Sequence, residues 1–107
     1  MYTRAVEITL KSGKASEFTK TFNERVIPVL LSQAGFVDVI TLRSDTQPNR
    51  VVGLSFWQTR EDAERYHREQ SQSVSNILSY LVETEPVVQT FNVETSTVHE
   101  IAAERAA

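Results

Sequence analysis

The sequence has no cysteine, only three glycines and three prolines, and no long apolar run. The lack of cysteine excludes disulfides, thiolate catalysis and cysteine-ligated zinc. The longest apolar run, VIPVLL, is far shorter than the ~20 residues of a transmembrane helix. The N-terminal segment MYTRAVEITL also lacks the basic region and apolar core of a signal peptide. We therefore expect a cytoplasmic protein with no membrane partner.

The sequence also lacks a large excess of charge of one sign. The formal net charge is −3, and the Lys and Arg residues are scattered along the chain. Without a basic stripe, nucleic acid is not an expected partner. Two histidines and dispersed acidic residues make a metal site improbable. The sequence has no GxSxG elbow and no Gly-rich phosphate loop. We expect no metal and no cofactor.

The 107 residues fit one domain, and its first half shows a change of period. Alternation in YTRAVEITL predicts a strand over Tyr2–Leu10, whose apolar face is interrupted only by Arg4. From about Lys14 a helical stripe follows, formed by Phe18, Phe22, Val26, Val29 and Leu30. We expect this helix to end at Ala34, with a kink at Pro28 and Gly35 as its left-handed cap.

The second half predicts two strands, a helix and a final strand. FVDVITLRSD reads as strand two, with Val37 and Val39 on one face and Phe36, Ile40 and Leu42 on the other. Strand three is predicted over residues 50–57. Thr59 and Asp62 have the spacing of a capping box, which begins a helix that QSQS should break or bend. Pro86 precedes the last strand, VVQTFNVET.

The predicted order is therefore β-α-β-β-α-β. This order is typical of a ferredoxin-like α+β fold, a four-stranded antiparallel sheet with two helices on one face. Both sheet faces carry valine, leucine and phenylalanine, so the face without helices needs a cover. A second copy packed sheet to sheet is the simplest cover, and we expect a homodimer. The domain should span residues 1–97, and residues 98–107 should form a tail.

Three segments of the sequence resemble the antibiotic biosynthesis monooxygenase domains of the dimeric α+β barrel superfamily. They are PVLLSQAGFVDVITLRSD, VVGLSFWQTREDAERYH and PVVQTFNVET. The resemblance covers residues 2 to 97 and implies a dimeric α+β barrel. The superfamily includes cofactor-independent oxygenases of aromatic polyketides, haem-degrading enzymes, small isomerases and proteins without an assigned reaction, so fold does not fix function.

Two motifs of that superfamily are not matched by this sequence. The haem-degrading branch uses an asparagine in strand one, and RAVEITL has none. Its helix tryptophan corresponds to Tyr66 here, and its histidine falls near Ser75 or Asn76. Some polyketide oxygenases have an asparagine before the strand-three tryptophan, where this chain has Gly53. We therefore do not expect haem degradation. Trp57, in contrast, matches the tryptophan of the family pattern.

Trp57, Tyr66 and His67 are the candidate catalytic residues. Trp57 would shape one end of a cleft between helices and sheet, or it would be a packing residue whose indole N–H finds one partner. Tyr66 would orient a bound carbonyl or phenol, and His67 would act as a base near neutral pH. The ordinary alternative is a buried Tyr66 with its hydroxyl at the surface and a solvated His67. We expect His99 to be solvated.

Four polar residues lie within predicted strands, where burial without a partner would cost ~1–3 kcal/mol each. They are Arg4, Glu7, Asp38 and Asn92. They either pair across the dimer or line a polar pocket between sheet and helices. Pairing is the favoured interpretation.

The resemblance implies, for an enzyme, a cofactor-independent monooxygenase acting on a small aromatic or quinone-type molecule. The alternative is a non-catalytic homodimer that binds a small ligand or has an accessory role, and a small isomerase or lyase is a third option. A cleft lined by Tyr66 would favour the enzyme. A cleft filled by Phe18, Phe22 and Leu78 would favour the non-catalytic dimer.

Overall fold

The computed structural model describes residues 1–99. Strands and helical regions follow one another in the predicted order β-α-β-β-α-β. The strands are β1 (Tyr2–Thr9), β2 (Phe36–Arg43), β3 (Arg50–Trp57) and β4 (Val87–Asn92). The helices are α1 (Ala15–Thr21), α2 (Ile27–Leu31), α3 (Arg60–Glu69) and α4 (Ser71–Leu78). A π-helical segment (Phe22–Val26) joins α1 to α2, and a 3₁₀ turn (Ser79–Leu81) follows α4. The ferredoxin-like α+β fold is confirmed.

The four strands form one antiparallel sheet in the order β2-β3-β1-β4. Tyr2 lies opposite Trp57, and Val6 lies opposite Gly53. Because side chains alternate along a strand, this register divides the sheet into two faces. One face packs on the helices through Trp57, Ile8 and Val51, which belong to the buried core. We call it the helix face and its opposite the open face.

The first helix is less regular than the sequence predicted. Helix α2 ends at Leu31, three residues before Ala34. Gly35 adopts the left-handed conformation, with a φ of +80°. The irregularity expected at Pro28 takes the form of the π-helical segment that ends one residue before α2 begins. Proline has no N–H and its ring crowds the carbonyl one turn earlier, so the preceding turn widens.

Strand β2 has a bulge that the sequence did not reveal. The register shifts between Phe36 and Asp38, so Phe36 pairs with Trp57 while Asp38 pairs with Phe56. The extra residue moves Phe36 to the helix face, where its ring lies 5.5 Å from that of Trp57. The prediction that Phe36 shares a face with Ile40 and Leu42 is therefore wrong. An alternating pattern cannot show where one residue is added.

The start and the break of the second helical region agree with the sequence. The Thr59 hydroxyl accepts a hydrogen bond from the Asp62 N–H at 3.1 Å, which caps α3. The helix is interrupted at Gln70, before α4 begins at Ser71. An added Cβ at Gly35 would lie 2.6 Å from the Cβ of Asp62, so the glycine lets the turn before β2 approach this cap closely.

The open face of the sheet is apolar and has no helix over it within residues 1–99. By register it carries eight apolar side chains, several of them about half exposed: Ala5, Ile40, Leu42, Val52, Leu54, Phe56, Val87 and Phe91. His99 reaches this face, with its ring 5.6 Å from that of Phe56 and Nε2 3.4 Å from an Asp38 carboxylate oxygen. The prediction that His99 is solvated is therefore wrong.

Residues 100–107 of the predicted tail lie outside the described residues. Up to residue 99, no helix has the length and apolar character required to cross a membrane.

Candidate functional site

A cleft of about 540 Å³ lies between β1, α3, α4 and the segment that leads into β4. This volume falls within the ~300–1,000 Å³ typical of small-molecule sites. Arg4, Tyr66 and His67 line one end. The body of the cleft is lined by apolar side chains, namely Val6, Ile8, Val74, Leu78 and Val88. The segment before β4 contributes two acidic residues, Glu83 and Glu85. Phe18 and Phe22 pack in the core with their rings 5.7 Å apart and do not line the cleft.

Trp57 ends β3 beneath α3 and is fully buried. Its indole N–H donates to the Ser55 hydroxyl oxygen at 3.0 Å, which is the single partner that a packed tryptophan needs. Its ring centroid lies 5.0 Å from that of Tyr66. Trp57 therefore has no surface in the cleft, and it supports Tyr66 from behind.

Tyr66 lies on the face of α3 that packs against the sheet, and it is buried. It stands between Trp57 and the cleft, so it is the aromatic residue that a ligand would meet. Burial raises the pKa of Tyr66 above its ordinary value of 10.0, and the nearby positive charge of Arg4 opposes the shift. The phenol therefore keeps its proton at neutral pH and can donate a hydrogen bond to a ligand oxygen.

Arg4 also lines the cleft, although it was not among the three candidate catalytic residues. It is the third residue of β1, lies on the helix face and is only 7% exposed. Its guanidinium carbon lies 5.2 Å from the centroid of the Tyr66 ring, a cation–π distance. Burial lowers the pKa of Arg4 from its ordinary value, and Tyr66 opposes the shift. Arginine nevertheless stays charged in proteins, so this end of the cleft is cationic.

His67 follows Tyr66 on α3 and has an exposed side chain that lines the same end of the cleft. Its Nδ1 lies 3.3 Å from an Arg4 guanidinium nitrogen and 3.5 Å from the Ser71 hydroxyl oxygen. A guanidinium only donates hydrogen bonds, so Nδ1 is the acceptor and the imidazole proton is on Nε2. The unprotonated nitrogen is thus directed toward Arg4.

A second, smaller cleft of about 260 Å³ meets the first at Arg4, His67 and Val88. Glu64 lines it, but the Glu64 carboxylate accepts a hydrogen bond from Arg60 at 2.8 Å. Among the described residues, no group of three His, Asp or Glu side chains is arranged to hold a metal ion.

The structure brings two of the three sequence-predicted residues, Tyr66 and His67, to the cleft and places the third, Trp57, behind them. In the sequence, Arg4 is the one interruption of the apolar face of strand one, and lining a polar pocket is one of the two alternatives given for it. At Gly53 an added Cβ would meet no atom within 4 Å, so this position has room for a side chain that the sequence does not supply.

Two of the four strand polar residues have charged partners in the same chain. Glu7 pairs with Arg50, and Asp38 pairs with His99 and also accepts from the Val39 N–H at 2.8 Å. Asn92 is exposed. Arg4 differs from these residues, because it lines the cleft instead.

The sequence matches the family model for antibiotic biosynthesis monooxygenase over residues 1–74. No curated protein matches the sequence significantly. Among solved structures, the cofactor-independent oxygenase SnoaB from Streptomyces nogalater is 20% identical, with a TM-score of 0.75. The alignment covers 92% of this chain and 97% of SnoaB.

Two further structures show how widely the fold is shared. An antibiotic biosynthesis monooxygenase candidate from Bordetella bronchiseptica is 17% identical, with a TM-score of 0.76 over 86% of this chain and 95% of that one. A protein of unknown function from Nitrosomonas europaea is 10% identical, with a TM-score of 0.76 over 92% of this chain and 94% of that one. At these identities the structures establish the fold.

Proposed function

The chain belongs to the antibiotic biosynthesis monooxygenase family, and we propose that it is a cofactor-independent monooxygenase acting on a small aromatic or quinone-type molecule. The observation that carries the proposal is the cleft, which has an apolar body and a polar end at Tyr66, His67 and Arg4. The oxygenase activity named for SnoaB supports the reaction class.

The proposed reaction needs a base, an apolar site and stabilisation of the substrate anion. His67 removes a proton from an acidic CH₂ group of the substrate, and the resulting carbanion reduces dioxygen. The peroxide formed at that carbon loses water, so CH₂ becomes a carbonyl, one oxygen atom stays in the product and the other leaves as water. Tyr66 donates to the substrate oxygen on which negative charge collects. The substrate supplies the electrons.

The position of the His67 Nδ1 atom supports this role. Its Nδ1 is unprotonated and lies at the polar end of the cleft beside Arg4. A ligand that draws the guanidinium toward its own oxygen frees Nδ1 to accept a proton. Trp57 has no contact with the cleft, so its part in the proposal is to fix the position of Tyr66.

The proposal includes a homodimer formed through the open face. That face presents eight apolar side chains, and Leu42, Val87 and Phe91 are about half exposed. Contiguous apolar surface of this kind marks an interaction site. We also propose that residues 1–97 form the domain and that residues 98–107 form a tail. The cytoplasmic location is a further prediction.

The test is oxygen uptake by the purified protein, in the presence of a chelator, with anthrones and quinols as substrates. We expect the wild type to consume oxygen above the uncatalysed rate. His67→Ala and Tyr66→Phe should each lower kcat by ~10²-fold or more, because they remove the base and the donor. His99→Ala and Tyr80→Phe are the matched controls and should keep wild-type rates, since neither residue lines the cleft.

Wild-type rates in both His67→Ala and Tyr66→Phe would remove these residues from the mechanism. Ligand binding without oxygen uptake would favour the alternative, a non-catalytic dimer that binds a small ligand. Conversion of the ligand without oxygen uptake would favour an isomerase or lyase on the same fold.

A further inference from the structure

The charge of Arg4 has no carboxylate to balance it in the part of the chain that the structure describes. Within residues 1–99 the ion pairs join other residues, and none includes Arg4. The acidic residue that lines the adjoining cleft, Glu64, accepts a hydrogen bond from Arg60. The polar neighbours of Arg4 include the Tyr66 side chain and the His67 Nδ1 atom, and neither supplies a negative charge.

A buried cation in this state is unfavourable for folding. Desolvation of an ion costs several kcal/mol unless an opposite charge and further hydrogen bonds offset it. An unbranched apolar side chain such as methionine would fill much of the same space on β1 at no such cost. The position of Arg4 is therefore better explained by a bound anion than by packing.

We propose that the cleft binds a ligand whose anionic oxygen group accepts a hydrogen bond from Arg4. This group is a carboxylate or the oxyanion of an acidic phenol or enol. The apolar part of the ligand lies along Val6, Ile8 and Leu78. This inference rests on the proposed function, because it names the substrate class of the same cleft. The two sources of the anion share one chemistry, which is a charge-assisted hydrogen bond from guanidinium to oxygen.

The rest of the cleft gives such a ligand one orientation. The Glu83 N–H donates to the Thr9 carbonyl at 2.8 Å, so Glu83 lies beside the end of β1, whereas Arg4 lies near the start of that strand. Glu85 lines the cleft on the same segment as Glu83. An anionic group is repelled by the glutamates and attracted by Arg4, so it binds at the Arg4 end. The 3.3 Å contact between Arg4 and His67 is long for a hydrogen bond and is readily exchanged for an oxyanion.

The test compares two probes of similar size by isothermal titration calorimetry at pH 7, namely 1-hydroxy-2-naphthoate, which is anionic, and 1-naphthol, which is neutral. We expect the wild type to bind the naphthoate ~10-fold or more tightly than the naphthol, with an affinity that falls as salt rises. Arg4→Met should abolish this preference. Arg50→Met, which removes an arginine paired with Glu7 away from the cleft, should retain it.

Equal affinity of the wild type for both probes would overturn the proposal. So would failure of the naphthoate to bind at millimolar concentration, or a preference that survives in Arg4→Met. If the oxyanion of an acidic phenol is the bound group, 2,4-dinitro-1-naphthol, which is ionised at pH 7 and has no carboxylate, should bind more tightly than 1-naphthol. If the carboxylate is the source, 2-naphthoate should bind as tightly as the hydroxynaphthoate.

Thermal unfolding of ligand-free protein separates anion binding from a structural role of Arg4. We expect Arg4→Met to have a Tm equal to or above that of the wild type, because it removes an unbalanced buried charge. Arg4→Lys should restore part of the preference for the naphthoate. A lowered Tm in both variants, without any restored preference in Arg4→Lys, would assign Arg4 to the fold and overturn the proposal.

The outcome is independent of turnover. Anion binding that depends on Arg4, found together with a lack of oxygen uptake, would remove the proposed function and keep this inference. Oxygen uptake with equal affinity for the two naphthalene probes would remove the inference and keep the proposed function.

Discussion

The helix face and the open face of the sheet differ in how their charged residues are partnered. On the open face, Glu7 pairs with Arg50 and Asp38 pairs with His99. On the helix face, Arg4 is almost completely buried and has no carboxylate partner within residues 1–99. The more buried charge is thus the less compensated one, which is the reverse of what folding alone favours.

The difference separates a surface suited to association from a surface suited to ligand binding. Apolar residues with locally paired charges can be covered by a second sheet without leaving a charge unbalanced. A buried cation at the end of an apolar cleft instead requires a partner that the described chain does not supply. Sites where a structure departs from its own stability rules are candidates for function.

The largest effect is expected on the helix face, from Trp57→Ala. Loss of a fully buried tryptophan and of the support under Tyr66 should lower the free energy of unfolding by ~3–5 kcal/mol. Trp57→Phe keeps an aromatic ring behind Tyr66 and should cost clearly less. Urea unfolding followed by circular dichroism measures both, and equal losses in the two variants would contradict the supporting role of the ring.

The next largest effect is expected on the open face, from Phe91→Asp. Phe91 is 49% exposed there, and a carboxylate in its place would have to be desolvated between two sheets. The dissociation constant of the proposed dimer should rise ~100-fold or more. Leu31→Asp, at a 67% exposed residue at the end of α2, is the control and should leave the dimer intact. Light scattering after gel filtration reports the mass, and a monomeric wild type would remove the interface altogether.

A moderate effect is expected at alkaline pH, from Tyr66. Its pKa is raised in the folded protein, so the folded state holds the phenolic proton more tightly than the unfolded state does. The stabilisation is complete below the ordinary value of 10.0 and is lost as the pH rises from there toward the folded pKa. The free energy of unfolding should therefore fall less steeply above pH 10.0 in Tyr66→Phe than in the wild type.

Tyr80→Phe is the control for this titration, because Tyr80 is 47% exposed and lies outside the cleft. It should follow the wild-type slope. Identical slopes in Tyr66→Phe and the wild type would show that Tyr66 does not resist ionisation.

The smallest effect is expected from Glu7→Gln. The side chains of Glu7 and Arg50 are 41% and 48% exposed, and exposed ion pairs contribute ~0–1 kcal/mol. The free energy of unfolding should change by less than ~1 kcal/mol in a denaturant titration. A clearly larger loss would place this pair inside the covered part of the open face rather than at its margin.

Several local features could be predicted because they depend on residues close in sequence. Strand β3 has the predicted bounds, Thr59 caps α3 as its spacing with Asp62 indicated, and Gly35 adopts the left-handed conformation. Each depends on an alternation or on a contact across a few residues. The sequence did not predict the bulge in β2 or the π-helical segment after α1, because one added residue changes geometry without changing composition.

The candidate site was predicted in part. Tyr66 was expected to face the sheet from its position on a helical stripe, and it does. Trp57 was expected to shape the cleft, but Tyr66 lies in front of it. Arg4 was noted as an exception on an apolar strand and as one of four polar residues that would pair or line a polar pocket, but it was not among the candidate catalytic residues. That Arg4, Tyr66 and His67 meet could not be read from positions more than sixty residues apart.

The sequence by itself determined the order of elements, the apolar character of both sheet faces and the family, because periodicity and local capping are carried by neighbouring residues. Tertiary structure alone decided which side chains meet in the cleft. The antiparallel register places Arg4 under α3, and the packing of α3 on Trp57 brings Tyr66 and His67 to the same end. Such contacts depend on register and helix orientation, which are set by packing of the whole sheet.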